Sequence, residues 1–198
     1  MHVNYNLTQD KILKNIRKNL INLDPDLTLQ YLSWLEKKTM YFRQSVLKVS
    51  YGSQPDDIKR GDVVWAEFGV NVGNELSDVF TKGHYALVWA VDLGNVVVIP
   101  LTSRNSYNSM LCLDLGIIEG LNELDTSHSY LKLDAIRSIS KRRIGRMPSK
   151  PQGKLSLSEE QLNKVKNHIY NYFVKEDVSN YSSELEILNY IAYHIDNN

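Results

Sequence analysis

His84 stands immediately before the apolar run Tyr85-Ala86-Leu87-Val88-Trp89-Ala90-Val91, and Thr102-Ser103 closes the run Val96-Val97-Val98-Ile99-Pro100-Leu101. The residues between the runs, Asp92-Leu93-Gly94-Asn95, have the composition of a tight hairpin turn. An antiparallel pair would therefore carry the imidazole and the two hydroxyls to one rim. A histidine there can exchange a proton near neutral pH, since its unperturbed pKa of about 6.5 leaves both forms populated. The charge pattern adds phosphate as a ligand. Residues 132–154 hold eight basic side chains (Lys132, Arg137, Lys141, Arg142, Arg143, Arg146, Lys150, Lys154) against Asp134 alone, whereas 61–131 hold two, Lys82 and Arg104, against nine acidic ones. Such a block binds polyanions by releasing counterions, and the formal net charge of zero conceals it. The plain alternatives are a histidine that closes a turn, hydroxyls that bond backbone at a strand end and a solvated loop that is basic by chance.

Positioning these groups falls to a zone of short strands. Asp62, Val64, Ala66 and Phe68 alternate with Val63, Trp65 and Glu67, a period of two that suits a sheet with unlike faces. Strands are expected at 61–69, 84–92, 95–102, 110–115 and 129–139, which makes 59–153 a strongly bent antiparallel sheet or small barrel with Trp65 and Trp89 in its core. Helices are expected on both sides. Ile12, Leu13, Ile16 and Leu20 recur at helical spacing, Asp24-Pro25 makes an N-cap and first-turn pair, and Leu32, Leu35, Phe42 and Val46 form the stripe of a second helix. Residues 48–58 read as the connection to the sheet. After the sheet, Ser156 with Glu159 reads as a capping box before Leu162, Val165, Ile169, Tyr172 and Phe173. A last helix starts at Ser182 or Ser183, with Leu185, Leu188, Ile191 and Ile195 on one face.

Several function classes are excluded on composition and motif. The single cysteine, Cys112, cannot form an internal disulfide, and no run approaches about 18 consecutive apolar residues. The expectation is a cytoplasmic protein with no membrane segment. The histidines (His2, His84, His128, His168, His194) show no ligand spacing with one another or with Cys112, so no metal is expected. No phosphate loop, dinucleotide fingerprint or Gly-x-Ser-x-Gly elbow is present, and no cofactor is expected.

Four blocks in order give the chain a resemblance. They are Arg60-Gly61-Asp62-Val63-Val64-Trp65, then Val72-Gly73-Asn74-Glu75, then Ile99-Pro100-Leu101-Thr102-Ser103, then Asp134-Ala135-Ile136-Arg137-Ser138-Ile139-Ser140-Lys141-Arg142-Arg143. Over residues 59–173 the chain resembles the MazF/PemK family of toxin endoribonucleases. The resemblance implies an α+β fold with a mostly β core: a small SH3-like barrel of the MazF/PemK/CcdB type. Here the barrel carries an N-terminal helical hairpin extension and C-terminal helices. The expected division is 1–55 for the extension and linker, 56–175 for the barrel and its helix, and 176–198 for an additional helix. One position departs from the family. Its catalytic Arg, from an Arg-Pro pair, falls on His84-Tyr85, and the loop Leu76 to Gly83 is longer than in many relatives.

The resemblance further implies metal-independent cleavage of single-stranded RNA, a homodimer, and a cognate antitoxin peptide or protein that occupies the RNA groove. The family's hydroxyl position carries over to Thr102 or Ser103. Cleavage by the 2′-hydroxyl requires a proton acceptor, a proton donor for the 5′-oxygen and stabilisation of the phosphorane charge. His84 can serve as acid or base, with Thr102 or Ser103 on the other side of the scissile phosphate. Lys82, Arg104, Tyr107, Arg137, Lys141, Arg142, Arg143 and Arg146 are the candidate RNA-binding residues, Arg142 and Arg143 foremost, Tyr107 as a stacking platform, and Arg137 open to an internal ion pair instead. Glu75 and His128 are possible supporting residues. The alternative is a catalytically inactive or non-nuclease module of the MazF/CcdB kind that binds nucleic acid or a protein target.

Overall fold

Two helices open the described chain. The computed structural model describes residues 5–49, 54–73, 75–78, 83–106, 108–121, 127–147 and 150–175. Helix α1 spans Tyr5–Leu20 and α2 spans Pro25–Val46. Asp24 caps α2 as its sequence indicates: Oδ1 accepts from the amides of Asp26 and Leu27, both at 3.0 Å, and Pro25 occupies the first turn where no amide is needed. The apolar stripe expected on α2 is not the face it buries. Leu32, Phe42 and Val46 are exposed, Phe42 by 71%, and the buried residue is Trp34. Trp34, Lys37 and Tyr41 share a face at i, i+3 and i+7, and that mixed face is the one turned to the sheet. Apolar periodicity alone misses it because Lys37 reaches a carboxylate there.

Eight strands follow among the described residues: β1 Asp62–Ala66, β2 His84–Val91, β3 Asn95–Thr102, β4 Cys112–Asp114, β5 Tyr130–Lys132, β6 Arg137–Ser140, β7 Ile144–Gly145 and β8 Leu155–Ser156. All pairings are antiparallel, in the order β4-β5-β3-β2-β1-β7, with β6 also on β3 and β8 also on β1, and this path does not close on itself. The expected strand 129–139 is two strands, β5 and β6, because a turn of 3₁₀ helix at Leu133–Ala135 redirects the chain. One face of the sheet carries Val64, Ala66, Phe68, Ala86, Val88, Val96, Val98, Ile139 and Ile144 as a buried cluster. On the opposite face Val63, Leu87, Ile99 and Leu131 are also fully buried, which is why β2 and β3 read as nearly continuous apolar runs.

Trp65 and Trp89 are half-buried rather than core residues. The β2–β3 register slips between Val88 and Ala90, so Trp89 sits at a bulge, where the Arg60 guanidinium lies 4.8 Å from its ring centre and Nε donates to its carbonyl at 2.7 Å. Trp65 stands edge-on to Tyr85 with ring centres 5.2 Å apart.

β8 is fastened to β1 by a buried ion pair. Asp62 accepts from Lys154 Nζ at 2.8 Å and Ser156 Oγ at 2.8 Å, and from the Lys59 amide at 2.8 Å. Ser156 is thereby held extended, so the expected capping box moves two residues along: Ser158 and Gln161 exchange the reciprocal bonds at 3.1 Å each, and α3 spans Glu159–Ile169 with a π-helical turn at Tyr170–Val174. The chain divides after Leu157 into two compact units, with α1, α2 and the sheet in the first and α3 in the second. The helix expected near 182–196 lies outside the described residues. Among the described residues, no helix is long and apolar enough to cross a membrane.

Candidate active site

The β1–β2 register pairs Ala66 with His84, and β2–β3 pairs Ala86 with Pro100. The pair Ala86–Pro100 lies two residues from His84 and from Thr102, so the register carries Thr102 level with His84 at the ends of adjacent strands. Cross-strand partners share a face, which sets His84 in line with Ala66 and Ala86 at the end of the apolar cluster. Arg137, opposite Val98 on β6, lies on that face too. Phe68 joins the two: its ring centre is 6.1 Å from that of the His84 imidazole and 5.3 Å from the Arg137 guanidinium carbon. An imidazole and a guanidinium thus border one buried aromatic ring.

Asp78 fixes the imidazole. Its carboxylate is only 2% exposed, with Oδ1 2.8 Å from His84 Nδ1, while Oδ2 accepts from the amides of Phe68 at 2.7 Å and Gly69 at 2.6 Å. A carboxylate satisfied by two amides stays in place, and it commits Nδ1 of the ring to carrying a proton. Nε2 is then the atom left for a substrate, and 27% of the His84 side chain is open to solvent. Asp78 is the residue that sequence reasoning missed. It sits in the long loop before β2, six residues from His84, a spacing that belongs to no regular element.

The end of β1 is clamped from α2. Glu67 accepts from Lys37 Nζ at 2.6 Å and from the Tyr41 hydroxyl at 2.7 Å. Burial and the Glu67 carboxylate push the Tyr41 phenol up, so it stays protonated and donates. Arg143 Nε donates to the Glu67 carbonyl at 2.7 Å, and its guanidinium lies 5.1 Å from the centre of the Trp34 ring. Burial pulls Arg143 below the usual arginine range; the Asp78 and Glu67 carboxylates oppose that shift, and the like charge of Arg137 adds to it.

Thr102 and Ser103 open onto a pocket of about 170 Å³ in which Tyr85 and Leu121 supply apolar walls and Ser129 and His128 join the two hydroxyl residues as polar ones. Thr102 Oγ1 accepts from the Arg104 amide at 3.1 Å. His128 also contacts a carboxylate, but at an exposed position: Nδ1 lies 2.9 and 3.1 Å from the two oxygens of Asp114 on β4, with the two side chains 51% and 43% open to solvent. The structure therefore brings Thr102, Ser103 and His128 together in one pocket, with His84 outside its lining and tied to Asp78.

The basic block is largely engaged within the fold. Arg146 bonds the carbonyls of Gln54 and Pro151 and the Asp56 carboxylate at 2.7–2.8 Å, and its guanidinium holds that carboxyl below the usual range. Lys154 is buried against Asp62 and the Asp57 carbonyl. Arg142 Nη1 reaches the Val49 carbonyl at 3.0 Å, Lys141 Nζ the Leu93 carbonyl at 3.2 Å, and the Gln54 amide donates to the Lys141 carbonyl. Lys132 pairs with Asp134 at 3.2 Å. The contacts to Val49, Gln54, Asp56 and Asp57 fasten these residues to the sheet. Arg104 and Glu75 are exposed. Lys82 and Tyr107 lie outside the described residues. No group of three or more His, Cys, Asp or Glu able to hold a metal ion occurs among the described residues.

Comparison with known proteins bears on residues 59–173, which match the family described as PemK-like, MazF-like toxin of type II toxin-antitoxin system. No curated protein matches the chain.

Proposed function

The chain belongs to the PemK-like, MazF-like toxins of type II toxin–antitoxin systems, and from that footing we propose that it cuts single-stranded RNA without a metal, using the ribose 2′-hydroxyl as nucleophile. The observation that carries the reading is the Asp78–His84 pair, with its Nδ1 contact of 2.8 Å at the rim of the sheet. His84 Nε2 takes the 2′-hydroxyl proton as O2′ bonds to phosphorus. Arg137, on the same face and against the same Phe68 ring, is the cation for the phosphorane charge. The P–O5′ bond then breaks, and the leaving oxygen takes a proton to become the 5′-hydroxyl. His128, held by Asp114 at the pocket beside Thr102, is the second proton carrier in this scheme, and Thr102 and Ser103 hold the nucleotide between the two imidazoles. Arg142, Arg143 and Arg146, engaged within the fold, have a lesser part in RNA binding than their sequence suggests. The same reading gives the protein an antitoxin as inhibitor, a second copy as partner and the cytoplasm as its place of action.

The test is to incubate the purified chain with a long single-stranded RNA in excess EDTA and identify the ends of the fragments. Fragments carrying a 2′,3′-cyclic phosphate and a 5′-hydroxyl, absent with His84→Ala, are the expected result. Intact RNA from folded protein would refute the nuclease reading, and RNA bound but uncut would make the chain a binding module.

A further inference from the structure

Helix α2 precedes the stretch shared with the toxin family, yet it touches the residues that hold the candidate base. Trp34 is 6% exposed, and its ring covers Gly69 so closely that a Cβ on that glycine would lie 1.9 Å from it. Gly69 also has a φ of +75°, so the position excludes a side chain on two grounds. The Gly69 amide is one of the two that fix Asp78, and the Asp78 amide in turn donates to the Gly69 carbonyl at 2.8 Å. Two residues upstream, Glu67 is gripped by Lys37 and Tyr41 from the same helical face. Residues 67–69 are therefore pressed by α2 on one side and support Asp78 on the other.

We propose that Trp34 is a positioning residue for His84: α2 holds the 67–69 backbone, that backbone aims Asp78, and Asp78 sets the tautomer and direction of the imidazole. The N-terminal extension is thus part of the support of the site. It is not a removable cover. The catalytic half of this inference rests on the nuclease reading above, whereas its structural half does not.

The experiment uses the full chain as wild type, Trp34→Ala, Trp34→Phe and Tyr41→Phe, each checked for folding by circular dichroism. The first readout is the nitrogen NMR spectrum of the histidine rings, assigned with His84→Gln. Wild type is expected to show the neutral His84 ring as a single Nδ1-protonated tautomer. Trp34→Ala is expected to show a tautomer mixture, and Trp34→Phe to restore the wild-type pattern. The second readout is single-turnover cleavage of single-stranded RNA. Trp34→Ala is expected to lose about tenfold to a hundredfold in the chemical step with little change in half-saturating RNA, the scale at which small misplacements act. Wild type that leaves RNA intact would defeat the nuclease reading and leave the ring spectra to decide the positioning role. If Trp34→Ala does not fold, Tyr41→Phe decides, because it removes one hydroxyl from the Glu67 clamp and should shift the His84 spectrum in the same direction by less. An unchanged His84 spectrum in the folded variant overturns the proposal. So does a rise in cleavage rate, which would make α2 a cover.

Discussion

An imidazole works as a base when one ring nitrogen is committed and the other faces the substrate, and at His84 the commitment comes from a carboxylate buried under two backbone amides. Asp78→Asn keeps an oxygen for those amides but turns an NH₂ toward Nδ1, which favours the tautomer with its proton on Nε2 and so removes the base. Cleavage should fall by about 10²- to 10⁴-fold. Rapid-mix single-turnover rates check this, and a loss below about threefold would leave Asp78 without the role given to it. The scheme with two proton carriers adds a pH dependence. Wild type should give a bell-shaped rate profile, with His84→Ala flattening one limb and His128→Ala the other. Identical profiles for the two variants would dismiss His128 as the donor. The place of His84 at the start of β2 was legible in the sequence because it abuts a dense apolar run. Asp78 was not, because a loop carboxylate becomes a partner only when the chain reverses, and a six-residue spacing leaves no periodic trace.

At the scale of elements, the segment 132–154 shows how charge misleads without its partners. Its basic side chains read as a phosphate surface, but apart from the Pro151 carbonyl on Arg146 the acceptors named above for Arg142, Arg146 and Lys154 lie 90 or more residues earlier in the chain. Sequence displays the cations and hides these acceptors until Val49, Gln54, Asp56, Asp57 and Asp62 come against them. The buried Asp62–Lys154 pair is the sharpest case. Lys154→Met leaves the Asp62 carboxylate buried without its cation and should cost about 3–5 kcal/mol. Urea denaturation measures it, and a loss under about 1 kcal/mol would mean that the Ser156 hydroxyl and Lys59 amide suffice. Strands β1 to β4 were readable to within a few residues, since alternation and β-branched runs marked them, whereas β5 and β6 read as one strand and the two-residue β7 and β8 are too short to leave a pattern. The packing face of α2 was not, because its contacts join an indole, an ammonium and a phenol in place of a row of aliphatics.

For the whole molecule, the nuclease reading proposed above predicts a modest electrostatic grip on RNA. If all eight basic residues of 132–154 met phosphates, the logarithm of affinity would fall with the logarithm of salt at a slope of roughly −5 to −6 for a single strand. With most of that block engaged internally, the expected slope is about −1 to −2. Fluorescence titrations at several salt concentrations, with His84→Gln to prevent cutting, decide between them, and a slope near −5 would return the basic block to the RNA. If that grip is weak, the proposed chemistry at the rim is the more telling feature to test in this toxin-family chain. The most direct test of the account is the single-turnover rate at which the purified full chain cuts single-stranded RNA in EDTA, compared with His84→Gln. The account expects wild-type cleavage that drops by about 10²-fold or more in the variant. Equal rates for the two proteins, or no cleavage by the wild type, would contradict it.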